Sequence, residues 1–408
     1  MTSISRKAAA IVIALVTLAV VIITTSSVTI LLLGNGTSSY ALDDPETELE
    51  ERYERLDEVY NILMDEYYTE VDSDTLIQGA IDGMMASLDD PYTYYYTPEL
   101  MQETNEKRVG TYVGIGVQIS IFGDGDLYVI RVFKDGPAYE AGLKRGDIIL
   151  SADGVELNPT NSQELTDAVA LIKGEEGTTV LLSIKRGDEV FDVEVERSAV
   201  LNTKVEYEML DENTGYIALY EFFGTAVSQV QEAVDDLTSQ GMTKLVFDLR
   251  DNGGGQLDIC TEITDMFVPE GIIVYTEDRQ LNRVYYNADD EYNDIPLVVL
   301  INENTASASE IFASAVQDSG RGVLVGQTTY GKGIVQTQYQ FPVDGAGMQL
   351  TTSVYYTRSG KCIHKQGVQP DIEVEAEEIT IEDYVSGPSI ESDSQLRAAY
   401  EYLNTIGE

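Results

Sequence analysis

Histidine and cysteine are almost missing from these 408 residues: there is one histidine, His364, and there are two cysteines, Cys260 and Cys362. One imidazole and two distant thiols give no cluster with metal-ligand spacing, so no metal site is expected. Two cysteines make no disulfide framework, even where the compartment would permit a bridge. Basic residues are scarce as well. Lys and Arg number 25 against 71 Asp and Glu, which leaves a net charge of −46. Such a chain avoids nucleic acid, whose phosphates demand clustered cations, and gains little from anionic lipid headgroups. Its acidity reads as a solvated surface. The phosphate-binding turn ending in Gly-Lys-Ser/Thr is absent, and so is the dinucleotide turn Gly-x-Gly-x-x-Gly. No cofactor is expected, and no internal repeat is visible.

What the chain does have begins at its amino terminus. Arg6-Lys7 precedes an uncharged apolar run from Ala8 to Leu33. That is about 26 residues, enough to cross a hydrocarbon core as a tilted helix. It is longer than the apolar region of a cleaved signal peptide. Positive charge before the run and acidic sequence after it orient the remainder away from the cytoplasm. The expectation is a cytoplasmic stub and single transmembrane anchor over residues 1–33, in the cell membrane, with the rest outside the cytoplasm. Ser39-Tyr40-Ala41 keeps a cleavable alternative open. Residues 34–44 read as a polar linker.

The remainder has globular composition and is long enough for two or three domains. Residues 45–105 are helical in pattern. Leu49, Tyr53, Leu56, Val59, Tyr60 and Leu63 recur at three- and four-residue steps, and a second helix is predicted over Thr75–Leu88 with Asp74 as its cap. Such a pair suits a dimer contact or a brace. Residues 106–200 change to short strands at Val113–Ile121, Leu127–Val132, Ile148–Ala152, Val180–Lys185 and Val190–Val195, with helical patches at Tyr139–Leu143 and Ser162–Ile172. This is a small β-barrel-like domain. Residues 201–380 alternate. Strands fall at Tyr216–Tyr220, Thr243–Asp248, Leu297–Ile301 and Gly322–Gly326, and helices at Thr225–Gln240, Leu257–Phe267 and Ala308–Asp318, which indicates α/β layering with largely parallel strands. Residues 381–408 are an acidic tail with a weak helix at Ser394–Leu403. The fold class is α/β and α+β, multidomain.

Chemistry concentrates between residues 295 and 336. The apolar strand Ile295–Asn302 runs into Glu303-Asn-Thr-Ala-Ser-Ala-Ser-Glu310, and Lys332 follows between two glycines. Ser307 and Glu310 fit a capping box, which satisfies free amides at a helix start. The functional alternative is a nucleophile. The turn lies at the carboxyl end of a buried strand, where α/β folds place their sites. The helix starting there offers free N–H groups to an oxyanion. Lys332 can take the serine proton if its pocket is apolar, because burial disfavours the ammonium; a Gly-Lys-Gly lysine is otherwise solvent-exposed. His364 is a poorer base between Lys361 and Lys365, and Cys362, two residues from it, cannot easily meet it in line. Asp248-Leu-Arg-Asp-Asn-Gly-Gly-Gly-Gln-Leu257 follows another buried strand. Its three glycines let several amides face one point, an oxyanion hole shared with the Ala308 amide. In the small domain, the glycines of Gly114-Ile115-Gly116-Val117 could present amides to a peptide carboxylate, and the strand beyond could accept the peptide as an added strand. An ordinary β-turn is the alternative there.

In this order the pieces resemble the C-terminal (tail-specific) processing peptidases, serine proteases with an inserted PDZ domain. Gly114-Ile-Gly-Val117 is similar to the PDZ carboxylate-binding loop. Gly136-Pro-Ala138, Ala141-Gly-Leu143 and Gly146-Asp-Ile-Ile149 are similar to the PDZ core signature. Asp248-Leu-Arg-Asp-Asn-Gly-Gly-Gly255 resembles the glycine turn of the catalytic core, Thr305-Ala-Ser-Ala-Ser-Glu310 the nucleophile turn, and Tyr330-Gly-Lys-Gly-Ile-Val-Gln336 the lysine segment. The resemblance implies a PDZ domain over 106–200 and a protease core over 201–380. It implies Ser307 as nucleophile, Lys332 as general base, and Gln336 positioning the lysine or the substrate. Oxyanion donors would be the Ala308 amide and Gly254. Gly114, Ile115, Gly116 and Val117 would capture an apolar C-terminal tail. The implied partners are protein or peptide substrates and the membrane through the N-terminal helix. A second copy of the chain and a regulatory or adaptor protein stay open. No peptidoglycan-binding segment of the kind some relatives carry is visible. The rival readings are a non-catalytic peptide-binding or scaffold protein on the same fold, and an esterase or other acyl hydrolase.

Overall fold

The computed structural model describes residues 45–406 apart from 110, 123–124, 135, 202 and 378–379. The expected anchor (1–33) and linker (34–44) lie outside the described residues. Among those described, no helix is long and apolar enough to cross a membrane. The described residues form two compact units that divide between Ile81 and Asp82.

The first unit contains the helix Pro45–Glu66 and enters a second helix, Ser73–Ala86. Asp72, not Asp74, caps that second helix: its carboxylate accepts from the Thr75 amide and hydroxyl, both at 2.8 Å. A cap must stand just before the first helical residue to reach the amide three positions on. Asp74 already lies inside the helix. Leu49, Tyr53 and Leu56 remain exposed along one side of the first helix.

In the second unit the small β domain has a six-stranded antiparallel sheet, beginning at Val117–Phe122 on one edge and ending at Glu189–Glu196 on the other. The single strand expected over Val113–Ile121 is two strands. Thr111–Gly114 pairs with Ser198–Leu201, and Val117–Phe122 pairs with Asp126–Val132. The break is at Gly116, whose φ of +82° suits a residue without Cβ. Asn161 caps the helix Ser162–Ile172, its side-chain oxygen accepting from the Gln163 and Glu164 amides at 3.0 Å. This domain is tied to the core by Arg131. Its guanidinium is buried, donates to Glu206 at 2.6 Å, and lies 3.9 Å over the Tyr220 ring.

The core is built on a second six-stranded sheet. Its order is Val205–Met209, Thr214–Leu219, Lys244–Asp248, Leu297–Ile301, Gly322–Gly326, Ile372–Glu373; the first pair is antiparallel and the rest parallel. Every residue of Leu297–Ile301 is buried, as expected of a strand covered on both faces. On one face Phe247 packs against Phe267 and Phe312. On the other, the C-terminal helix Ser394–Ile406 buries Leu396, Ala399 and Leu403 in a cluster with Val246, Val298, Leu300 and Val325. The tail helix is therefore part of the core. Arg250 fastens it, meeting Asp248 at 2.6 Å and Asp393 at 2.8 Å.

A five-stranded sheet that the sequence pattern did not suggest completes this unit. It contains Tyr94–Tyr96, Gly271–Asp278, Arg283–Ala288, Ile334–Gln340 and Gly347–Thr357. Strand Ile334–Gln340 begins two residues after Lys332, so this sheet aims the lysine segment. Cys260 and Cys362 are both free thiols.

Candidate active site

Ser307 stands between the buried strand Leu297–Ile301 and the helix Ala308–Asp318, with φ +58° and ψ −116°. A non-glycine residue keeps such a backbone only where its surroundings fix it. The fixings come from the neighbouring glycine turn. The Thr305 hydroxyl donates to the Leu249 carbonyl at 2.8 Å, and the Ala306 amide and the Ser309 hydroxyl donate to the Asn252 carbonyl at 3.0 and 2.9 Å. From the opposite side the Tyr355 hydroxyl donates to the Ser307 carbonyl at 3.2 Å.

The tie between Ser307 and Lys332 is the fully buried carboxylate of Glu310. Its Oε2 accepts from the Ser307 amide and from the Lys332 amide, each at 2.8 Å. Its Oε1 accepts from the Gly331 amide at 2.7 Å and the Thr329 hydroxyl at 2.5 Å. Two donors on one oxygen hold the Ser307 and Lys332 backbone nitrogens within about 6 Å of each other. Capping is thus only part of what Glu310 does. Lys332 itself is half-buried, and burial lowers its pKa from the ordinary 10.5, against the opposing pull of Asp90 and Glu310. Its Nζ lies 4.4 Å from the centre of the Tyr92 ring. In this conformation the amine and the Ser307 hydroxyl are not hydrogen-bonded to each other; catalytic contacts commonly close only with substrate present.

The glycine turn lies against the same point. A Cβ on Gly254 would fall 2.8 Å from the Ala308 nitrogen and 2.9 Å from the Ser307 Cβ. The Gly254 amide, expected as an oxyanion donor, instead donates to the Asn252 side chain at 2.8 Å. That hydrogen is already engaged, so in this conformation Gly254 supplies close approach and not a free donor. The Ala308 amide, at the first helical position, has no partner within its helix. Gln336 is on the lysine strand, and its amide nitrogen donates to the Thr351 hydroxyl at 3.2 Å, not to Lys332. His364 packs behind Gly333, where an added Cβ would meet its backbone nitrogen at 2.6 Å. Among the described residues no group of histidine, cysteine and carboxylate side chains could hold a metal ion.

In the small domain, the Ile115 carbonyl accepts from the Ala138 amide at 2.7 Å and the Gly116 carbonyl from the Phe133 amide at 2.9 Å. The Tyr112 hydroxyl has its pKa pushed up to about 12, chiefly by burial. Gly114 ends one strand and Val117 opens the next, which is the sheet's edge. A cavity of about 1650 Å³ opens between this domain and the core, lined by Tyr112, Lys173, Tyr220, Arg250 and Asp393 among others. Ser307 and Lys332 do not line it.

The profile of peptidase family S41 matches residues 213–374, a PDZ profile matches 128–186, and that of the activating protease CtpB N-terminal domain matches 34–100. The carboxy-terminal processing protease CtpA of Bacillus subtilis is 33% identical over 350 residues, covering 85% of this chain and 73% of that protein. The carboxyl-terminal-processing protease of Picosynechococcus is 39% identical over 332 residues, covering 79% and 78%. This chain belongs to the C-terminal processing peptidase family. It is a serine-type protease with a PDZ domain. A crystal structure of a Bacteroides fragilis protein described as an S41 protease has the same fold, with a TM-score of 0.59 and 18% identity, over 85% of this chain and 97% of that one.

In this peptidase, three residues at the site have roles that the sequence does not reveal. Glu310 was legible as a cap, but its contacts with residues 329–332 come from tertiary structure. Asn252 could have been noticed as the polar residue before three glycines. Tyr92 follows Asp89-Asp90-Pro91, which reads only as the end of a helix.

Proposed function

We propose that this chain is a membrane-anchored, extracytoplasmic endopeptidase that recognises C-terminal protein tails through its PDZ domain and cuts them with Ser307 and Lys332. The observation that carries the reading is the shared Glu310 oxygen, which joins a strained serine to a lysine whose burial favours the neutral amine. A neutral Nζ accepts the Ser307 proton as Oγ bonds to the peptide carbonyl carbon. The Ala308 amide faces the oxyanion that forms. Nζ then returns the proton to the departing amine as the C–N bond breaks, leaving an acyl-serine. Water, deprotonated by the same amine, releases it. Gln336, bonded to Thr351, would hold the lysine strand or the substrate in register.

The carboxylate of an apolar tail would dock at Gly114, Ile115, Gly116 and Val117, with the peptide added to the free edge of Val117–Phe122. Residues 8–33 would supply the anchor. The exposed side of Pro45–Glu66 would take a second copy or an adaptor protein.

The test uses wild type, Ser307→Ala and Lys332→Ala on a peptide with an apolar C-terminus. Fragment release by wild type alone, with peptide binding kept by both variants, supports the reading. Full turnover by either variant overturns it. Location is checked separately, by protease accessibility of the intact chain in sealed cells.

A further inference from the structure

Among the described residues, the group that meets the Lys332 amine directly is an aromatic face. Nζ lies 4.4 Å from the Tyr92 ring centre. The ring is held from several directions. The Tyr92 amide donates to Asp90 at 3.0 Å, its carbonyl accepts from the Gln349 side chain at 3.1 Å, and its hydroxyl donates to the Tyr330 hydroxyl at 3.3 Å. The strand Tyr94–Tyr96, just after it, pairs with Gly347–Thr357, and that same strand pairs with Ile334–Gln340 beyond Lys332. Ring and amine are therefore carried by two neighbours of one strand, and their separation is built into the sheet.

We infer that Tyr92 is a positioning residue for the general base: its ring closes over Nζ, shields the amine from water and fixes where it waits. This rests on the Ser307–Lys332 reading above. An aromatic face acts on an amine in two opposed ways. Its quadrupole attracts the ammonium, and its bulk strips water from it. Burial is the largest influence on Lys332, and the Tyr92 ring, 4.4 Å away, is part of what covers the amine. The other titratable groups acting on the amine are Asp90 and Glu310, and Tyr330 meets the Tyr92 hydroxyl. His364 and Lys365 lie on the segment packed behind Gly331 and Gly333. Both carboxylates favour the ammonium and are untouched by a change at Tyr92. The phenol itself stays neutral through the assay range, pushed up to about 12 by its bond to Tyr330 and by burial.

The experiment is the pH profile of kcat/KM for the full chain on an apolar-tailed peptide. Wild type is compared with Tyr92→Phe, Tyr92→Leu and Tyr92→Ala, each checked for an unchanged melting curve. Tyr92→Phe keeps the ring and should keep the acidic limb. Tyr92→Ala admits water and should move that limb upward by on the order of one pH unit, with activity recovering at high pH. Tyr92→Leu covers the amine without a quadrupole, so its limb should lie below that of Tyr92→Ala. Should the Ala variant fail to fold, a Leu limb at or below the Phe limb supports the role and one well above it refutes it. Coincident limbs in all variants, or an equal loss at every pH in Tyr92→Ala, overturn the inference. Lys332→Ala separates the two claims. If it is inactive while the Tyr92 limbs coincide, only the Tyr92 role falls. If it is fully active, the dyad falls first.

Discussion

The backbone amides of Ser307 and Lys332, 25 residues apart in sequence, donate to the same oxygen of Glu310, each at 2.8 Å. A glutamine there cannot serve both sides. Its one carbonyl oxygen could satisfy one pair of donors, and its NH2 group would face the other pair. Glu310→Gln is expected to destabilise the fold by roughly 1.5–3 kcal/mol, the range for hydrogen bonds to a charged group. Activity should fall further than stability alone explains, because the lysine turn loses its fixed distance from the serine. Urea unfolding midpoints and turnover at a temperature where both proteins are folded would check this.

Gly254 sits where only a hydrogen fits. Its φ is +100°, and a Cβ would lie 2.7 Å from the Ala306 carbonyl oxygen and 2.8 Å from the Ala308 nitrogen. Real Cβ atoms do not come so close, so Gly254→Ala must push the nucleophile turn or the helix start aside. The expected result is a loss of about a hundredfold or more in kcat, comparable to losing an oxyanion donor, in a protein that still folds. Gly253 has open space around its Cβ position. Gly253→Ala is therefore the matched control, with most of its activity retained.

The depressed pKa of Lys332 makes two signed claims. Activity should rise with pH through a limb set below 10.5, because the neutral amine is the working form. Stability should follow the same sign. Between the lowered folded value and the unfolded one, the unfolded chain binds more protons at this site, so rising pH favours the fold. Wild type should therefore gain stability relative to Lys332→Met across that window. Denaturant unfolding of both proteins at several pH values measures it. A difference that is flat, or that shrinks as pH rises, would sink the claim.

Much of the core was legible because its strands are apolar on both faces and its helices amphipathic. The strands Leu297–Ile301 and Gly322–Gly326 and the helix Ala308–Asp318 fall where the pattern puts them. The five-stranded sheet was not legible. Arg283–Ala288 and Ile334–Gln340 are half-exposed and rich in Tyr, Gln and Thr, so they carry little apolar alternation to read. The tail helix looked weak because its polar residues mask the buried stripe Leu396, Ala399, Leu403. At the site, residue types were readable and their connections were not. Nothing in a sequence says that a helix-capping glutamate will also accept three bonds from a turn about twenty residues away.

The carboxylate loop leads to the last expectation. Its Ile115 and Gly116 carbonyls are engaged by the Ala138 and Phe133 amides. A peptide carboxylate is a strong, charge-assisted acceptor for backbone amides. A peptide ending in a free acid should therefore have a lower KM than its C-terminal amide, by roughly tenfold or more if charge-assisted bonds are gained. Steady-state kinetics with the two peptides is sufficient. Equal KM values for acid and amide in wild type would show that this loop does not read the end of the chain.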